Sequence, residues 1–491
     1  MYNDSFYVTA TADLNVLMFG IDSMSSMTFQ RKLPDSLNFL KKDLKAVIFE
    51  GYNIVGDATT QALLPMFLGQ LQHEIPDILE RHLDGLDFVW KRYRERGYVT
   101  LFAEDEPHLG VFNLRLQGFE ELPTDHYMRY FWQSQAQSHL KSDCSAKYCT
   151  GPTPNHHYLL QYITDFFHKY PRIPHFAVGF SGELSHDEVN PSQYLDPDLL
   201  TFLTHFKAEG YLNNTLLILF GDHGSRKGIL RRTLQGKIEE RLPFMSMVFP
   251  ESFRKKHRAL YENLKRNAKG LTTPFDIHKT LLDVLDLPKV YQASQQKPDR
   301  GVSLFRSIPE NRTCHQAGVD THWCTCVQEV PIPTSDPVAT AAAQAVVDTI
   351  NNLTQANRQQ CVLLQLASIH SASLVLPNLQ VLTFHKTEGG NFSALFGNAT
   401  VDMAEFQITL ETDKCRGVFE ATVQVLFHQD GSESGGENQG HAGLTYSAFE
   451  HSISRIDTYG SQSACICKSN PNIMKYCCCE RYLHGEQMTN C

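Results

Sequence analysis

The sequence predicts an α/β fold built on a mainly parallel sheet with helices on both faces, followed by a smaller cysteine-rich α+β or all-β domain. Three observations predict it. Short apolar runs alternate with helix-length stretches through residues 1–290. Several of those runs are apolar at nearly every position, as strands covered on both faces require. The cysteines are unevenly placed: none of the 13 precedes Cys144, and the sequence beyond residue 314 holds most of them, with Cys477, Cys478 and Cys479 consecutive.

Strands are predicted at Asn15–Gly20, Ala46–Phe49, Tyr98–Ala103, His175–Gly179, Leu216–Phe220 and Met245–Phe249. Helices are predicted between them, at Ser36–Lys45, Gln61–Gly69, Leu83–Arg96, Tyr158–Tyr170, Pro197–Gly210 and Phe253–Arg266. A helix around Leu271–Leu287 closes the unit, so residues 1–290 read as one α/β core. Residues 291–338 read as a cysteine-containing connector, with Cys314, Cys324 and Cys326 in a loop-rich stretch. Residues 339–491 read as a disulfide-rich C-terminal domain. It opens with an Ala-rich helix (Ala339–Asn352) and continues in short strands such as Asn378–Phe384, Glu405–Leu410 and Gly417–Phe427. A Gly/Ser/Glu loop interrupts them at Asp430–Gly443.

The 491 residues are 42% hydrophobic and 20% charged, with net charge −10. That is globular composition, and an acidic chain lacks the electrostatic footprint of a nucleic-acid binder. No apolar run reaches the ~20 residues of a membrane helix. Six Asn-x-Ser/Thr sequons, at Asn3, Asn213, Asn311, Asn352, Asn391 and Asn398, join the cysteines in favouring an extracellular or secretory-pathway location. The opening Met1-Tyr-Asn-Asp-Ser-Phe has no basic or apolar signal region. A signal or membrane anchor is therefore expected upstream of this chain; a thiol-rich cytosolic protein is the alternative.

In an open parallel sheet, ligands bind beyond the carboxyl ends of the strands. Four such ends carry polar residues. Asp22 follows the first strand. Thr59 and Thr60 stand where Gly56-Asp-Ala-Thr-Thr leads into a helix, whose N-terminus favours an anion. His186 and Asp187 follow the strand at His175–Gly179. Asp222-His223-Gly224 ends the strand at Leu216–Phe220. Each alone reads as a turn residue, a helix cap or a surface histidine. Together, two aspartates and a histidine suit Zn²⁺ or Mn²⁺, and a metal beside a hydroxyl generates a nucleophile.

At these residues the chain resembles the alkaline phosphatase/sulfatase-like superfamily, and within it the family called domain of unknown function 229. The resemblance runs through Gly-Ile-Asp22-Ser, Gly97-Tyr98-x-Thr-x-Phe-Ala-Glu104-Asp105 and Gly118-Phe-x-x-x-Pro-Thr-Asp125-x-Tyr. It continues through His186-Asp187, Gly-Asp222-His223-Gly-x-Arg226 and Gln235-Gly-Lys-x-Glu-Glu-Arg-Leu-Pro. It extends to Leu271-Thr-Thr-Pro-Phe-Asp276-Ile-His and His322-Trp-Cys324-Thr-Cys326. The resemblance implies an alkaline-phosphatase-like three-layer α/β/α sandwich and one or two divalent metals. It implies Asp22, Asp222 and His223 as metal ligands and Thr59 as nucleophile, with Thr60 the neighbouring alternative. His186 or Asp187 would contact substrate or a second metal. Arg226 would bind oxygens of the transferred anion, which a guanidinium suits. His278 falls at a position that is usually structural, and is expected to pack.

One segment departs from the resemblance. Family members carry Asn-Thr-Phe-Pro-Asn at the nucleophile, and this chain has Ala58-Thr59-Thr60-Gln61-Ala62. No Cys or Ser in a Cys/Ser-x-Pro/Ala-x-Arg context follows the first strand, which argues against a formylglycine sulfatase. The chain also lacks a Gly-x-Ser-x-Gly elbow and a Walker A loop. Cys324-x-Cys326 with His315 and His322 permits zinc, though disulfides fit a secreted chain better. The function expected is a secreted or lumenal metal-dependent phosphoester hydrolase or phosphotransferase, acting on a phosphate-ester or glycan- or lipid-linked substrate. The alternative is a non-catalytic extracellular binding protein on the same fold.

Overall fold

The computed structural model describes residues 14–108, 110–138, 146–292, 299–376, 384–386, 392–396, 399–401, 403–427 and 444–485. They form two compact units. The first comprises the described residues of Met1–Arg226 and Leu234–Trp323, and the second those of Lys227–Thr233 and Cys324–Cys491.

The first unit is built on seven strands: β1 (Asn15–Ile21), β2 (Val47–Ile48), β3 (Val99–Glu104), β4 (His126–Tyr127), β5 (His175–Ser181), β6 (Thr215–Gly221) and β7 (Met245–Val248). Their order is β2-β7-β6-β1-β5-β3-β4. The five strands from β6 to β4 are parallel. β7 runs antiparallel to both neighbours, a direction its four residues, Met-Ser-Met-Val, do not encode.

Eight helices matter for the site: α1 (Ser26–Lys32), α2 (Pro34–Lys42), α3 (Ala58–Leu68), α4 (Val89–Glu95), α5 (Asn155–Lys169), α6 (Asp196–Ala208), α7 (Leu234–Arg241) and α8 (Pro274–Leu285). The pleat of β1 explains the layering. Val16 and Met18 pack in one core with Leu63 of α3, Trp90 of α4 and Leu281 of α8. Leu17 and Phe19 enter the other, with Leu37 of α2 and Ile163 of α5. A strand buried on both faces reads as an unbroken apolar run, and three layers result.

Two predicted helices differ. The one expected at Leu83–Arg96 begins only at Val89, because Asp84-Gly85 makes a turn and the Asp84 carboxylate accepts the N–H groups of Glu120 and Glu121 at 2.9 Å. The one expected at Phe253–Arg266 is two helices, Glu251–Lys256 and Arg258–Asn267, broken at His257.

α8 starts with a capping box between Thr273 and Asp276, with Pro274 in the first turn. The Asp276 carboxylate also receives two bonds from the Arg312 guanidinium, at 2.7 and 3.0 Å. Both side chains are almost fully buried.

The second unit is an antiparallel sheet covered by a helix, which is the α+β form of the two expected. β8 (Gln328–Ile332), β9 (Leu366–Leu376), β10 (Met403–Thr412), β11 (Val418–Phe427) and β12 (Leu444–Arg455) pair in sequence order. α9 (Pro337–Leu353) lays Ala342, Val346 and Ile350 against Ile408, Leu410 and Val423. Small alanines let helix and sheet approach closely. Arg231 is fully buried in this unit and is held by Glu420 at 3.1 Å.

The three consecutive cysteines reach three different partners: Cys361–Cys477, Cys415–Cys478 and Cys465–Cys479. Cys314, Cys324 and Cys467 are disulfide-bonded as well, which removes Cys324 as a zinc ligand. Among the described cysteines, Cys149 and Cys326 are free. The expected loop Asp430–Gly443 and most of the expected strand Asn378–Phe384 lie outside the described residues, as do Asn3, Asn391 and Asn398. No helix among the described residues is long and apolar enough to cross a membrane.

Removing one partner of a buried ion pair leaves the other uncompensated. Arg312→Ala is therefore expected to lower the urea-unfolding free energy by about 3–5 kcal/mol. A loss below about 1 kcal/mol would contradict this role for the pair.

Candidate metal centre

Strand register builds this site. Ile21 at the end of β1 pairs with Gly221 of β6 on one side and Ser181 of β5 on the other. The chain therefore leaves three adjacent parallel strands at one level, delivering Asp22, Asp222-His223 and Gly182 side by side. Two glycines bracket Asp222-His223 because neighbouring backbone comes close. A Cβ on Gly221 would lie 2.0 Å from the Met24 carbonyl oxygen, and one on Gly224 would lie 2.2 Å from that of Glu239. α7 supplies the backing at Gly224. Its Glu240 carbonyl accepts the Gly224 N–H, and the Glu239 carboxylate is held by Arg31 and Ser25.

Asp22, Asp222 and His223 are all buried. Each presents one ligand atom, and the three atoms lie within 4.8 Å of one another. His223 Nδ1–H donates to the Gly224 carbonyl at 2.8 Å, which leaves Nε2 as a lone pair. That lone pair faces Asp222 Oδ2 at 3.1 Å and Asp22 Oδ1 at 3.8 Å. Burial pushes the imidazole down to about 4, so it is neutral at physiological pH.

Asp222 Oδ1 accepts the backbone N–H groups of Ser23 at 2.9 Å and His223 at 2.8 Å. Ser23 reaches it from a left-handed conformation, φ 56°. Asp222 Oδ2 is buried without a hydrogen-bond partner. Burial pushes Asp222 up to about 6, opposed by the nearby Thr59 hydroxyl and these N–H groups. Burial and the Asp222 charge together raise Asp22. One donor atom from each of two carboxylates and an imidazole thus converge, and a divalent cation fits that donor set.

α3 brings the hydroxyl. Ala58 opens it at φ 71°, a left-handed conformation that costs a residue with a Cβ about 1–2 kcal/mol. Thr59 follows, half-buried, with Oγ1 3.4 Å from His223 Nε2. Thr60 is engaged elsewhere: it is buried and donates to the Val111 carbonyl at 3.0 Å. His278 lies behind α3, hydrogen-bonded to the Met66 carbonyl at 3.2 Å and against Gly69, remote from the ligand trio's bonds.

Arg226 donates to Asp57 Oδ1 at 2.8 Å. Arg115 donates to the Asp57 carbonyl at 3.3 Å and stands 3.9 Å from its carboxylate. Two guanidiniums therefore flank the start of α3, and Arg115 is absent from the sequence-based candidates because it sits in a loop without periodicity. His186 lies near enough to Asp22 for its charge to lower that carboxyl's pKa. Its Nδ1 is 3.0 Å from Asp187, whose side chain is 84% exposed and faces solvent.

Asp105 is the other residue missed. It ends β3 as Asp22 and Asp222 end their strands, a signal that could have found it. Its carboxylate accepts the Ser181 hydroxyl at 2.7 Å and the N–H groups of Gly182 at 2.7 Å and Glu183 at 3.2 Å, fixing the loop that carries His186.

A sequence comparison matches residues 7–370 to the family described as "Protein of unknown function (DUF229)". No curated protein matches the chain. Solved structures with similar folds include the integral membrane lipooligosaccharide phosphoethanolamine transferase A (EptA) from Neisseria meningitidis. It is 13% identical with a TM-score of 0.41, covering 57% of this chain and 56% of that one. The lipoteichoic acid synthase LtaP from Listeria monocytogenes is 10% identical with a TM-score of 0.38, covering 56% and 73%. A protein in the alkaline phosphatase superfamily from Vibrio parahaemolyticus is 12% identical with a TM-score of 0.42, covering 79% and 83%. This chain thus spans 56% of the length of the first. Scores of this size carry no information on substrate or chemistry.

Glu104, beside Asp105, gives a pH signature. Burial pushes it up to about 7 even though Arg129 lies 3.1 Å away and the Val111 N–H donates to it. Its folded pKa exceeds its unfolded one, so the folded state binds the extra proton and gains stability as pH falls through about 7 toward the ordinary range. Urea titrations at several pH values are expected to show wild type gaining on Glu104→Gln as pH is lowered from neutrality. A pH-independent difference would contradict it.

Proposed function

The chain belongs to the DUF229 family, and from that membership and the strand-end geometry we propose that it is a metal-dependent phosphoester hydrolase or phosphotransferase with Thr59 as nucleophile. One observation carries the reading: the Thr59 hydroxyl lies 3.4 Å from an unprotonated His223 Nε2 that faces two buried carboxylates. Asp22, Asp222 and His223 would hold one divalent metal, Zn²⁺ or Mn²⁺. Bound there, it would lower the pKa of the hydroxyl and neutralise charge on the phosphoryl group.

In this reading Thr59 Oγ attacks phosphorus as its proton passes to solvent, and the phosphorus–oxygen bond to the leaving alcohol breaks as that alcohol takes up a proton from solvent. A phosphothreonine results. Water or a second alcohol attacks the same phosphorus and returns Thr59 to its starting form. The N-terminus of α3 supports negative charge on the phosphoryl oxygens, and Arg226 and Arg115 stand at its edge. His186 is the donor left for substrate or a second metal, with Asp187 acting through its bond to that ring. Strained backbone at Ser23 and Ala58 accords with a functional site, since such residues persist where the surroundings over-determine them.

The substrate proposed is a phosphate ester or a glycan- or lipid-linked ester. An extracellular or lumenal location fits the disulfides of the second unit. It also fits the exposed sequon asparagines Asn213, Asn311 and Asn352.

A second reading, a non-catalytic extracellular binding protein, is favoured by one observation: Asp57 already engages both guanidiniums. Turnover separates the two. With Zn²⁺ or Mn²⁺ supplied, the full chain is expected to hydrolyse bis(4-nitrophenyl) phosphate. Thr59→Ala should lower kcat by about 10³-fold or more while retaining metal, and Thr60→Val should remain active. Asp222→Ala should lose both turnover and metal. Undiminished activity in Thr59→Ala would exclude the nucleophile. No turnover of any ester by the metal-loaded wild type would favour the binding protein.

A further inference from the structure

A second group of metal-ligating side chains lies at the start of α5 and α6, apart from the residues of the proposed catalytic centre. His156 and His157 are the second and third residues of α5, and Asp198 is the third of α6. His156 Nε2 lies 2.8 Å from Asp198 Oδ2, and His157 Nε2 lies 2.9 Å from the same oxygen. The two rings are 5.0 Å apart and nearly perpendicular, at 80°. One ligand atom from each residue falls within 4.8 Å of the others.

Successive residues of a helix point about 100° apart, so two adjacent histidines do not ordinarily meet on one atom. Here they converge on a single carboxylate oxygen. Their platform is rigid. Asn155, immediately before them, donates to Glu183 Oε1 at 2.7 Å and accepts the Thr150 hydroxyl at 2.7 Å. Both rings stand in the first turn of a helix. His156 Nδ1 is buried without a hydrogen-bond partner.

Exposure completes the site. The His156 side chain is 4% exposed, but His157 is 43% and Asp198 is 30% exposed, so one side opens to water. Two imidazoles, one carboxylate and an open position form the donor set that tetrahedral Zn²⁺ accepts, with water as fourth ligand.

We propose that His156, His157 and Asp198 bind a Zn²⁺ ion separate from the catalytic centre. The ion ties the N-terminus of α5 to that of α6. Through the Asn155–Glu183 bond, it also steadies the loop that begins at Gly182 and carries His186. This inference does not depend on the proposed catalytic activity.

The test is calorimetric titration of the chelator-stripped full chain with ZnCl₂, in wild type, Asp222→Ala, His157→Ala and the double variant. Wild type is expected to take two equivalents and Asp222→Ala one. Adding His157→Ala to Asp222→Ala should weaken the remaining site by about tenfold or more. His157 is partly exposed, so its removal leaves the core intact. Asp198→Asn, which preserves shape, should weaken Zn²⁺ comparably. An Asp222→Ala protein that binds no Zn²⁺ would overturn the proposal, as would residual binding indifferent to both His157→Ala and Asp198→Asn. If the catalytic centre is instead the one that binds no metal, wild type takes one equivalent that Asp222→Ala keeps and His157→Ala weakens.

Discussion

Two carboxylates buried side by side, both facing an unprotonated imidazole, set the constraint on which the first unit depends. Asp22 and Asp222 bring negative charge into a place where burial raises both their pKa values. Isolated charges there are costly, and each needs hydrogen bonds or a counter-ion. The protein supplies N–H donors to Asp222 Oδ1 and leaves Oδ2 without one. That asymmetry distinguishes the trio from a structural ion pair such as Asp276–Arg312, where the fold itself provides the counter-charge.

The surrounding elements read as supports for this cluster. Parallel register brings the ends of β1, β5 and β6 to one level, and Gly221 and Gly224 let neighbouring backbone approach. α7 braces the Gly224 turn, and Asp105 holds the loop after β5. In the second unit a different logic applies. The antiparallel sheet under α9 is stapled by disulfides that send three adjacent cysteines to three separate segments. Cross-links of this kind stabilise a small domain chiefly by restricting its unfolded chain.

The parts of this architecture legible in the sequence are those with strong patterning. β1 and β6 announce themselves because both faces are buried, and a carboxylate directly after such a run stands out, as at Asp22 and Asp222. The direction of β7 was not legible, since Met245–Val248 pairs equally well either way. β9 and β12 escaped notice because their exposed positions break the alternation. Arg115 and Asp57 gave little signal, because long-range packing of loops rather than local pattern brings them to α3. Arg226 was legible as a residue near the site, but its bond to Asp57 was not, because nothing in the sequence links positions so far apart.

The central claim is that Asp22, Asp222 and His223 hold a divalent cation beside Thr59. Anomalous diffraction from crystals equilibrated with Zn²⁺ and, separately, Mn²⁺ tests it most directly. The account predicts an anomalous peak within about 2.0–2.2 Å of Asp222 Oδ2 and His223 Nε2, with Asp22 completing the protein ligands. A fully loaded crystal with no peak among these three side chains would contradict it.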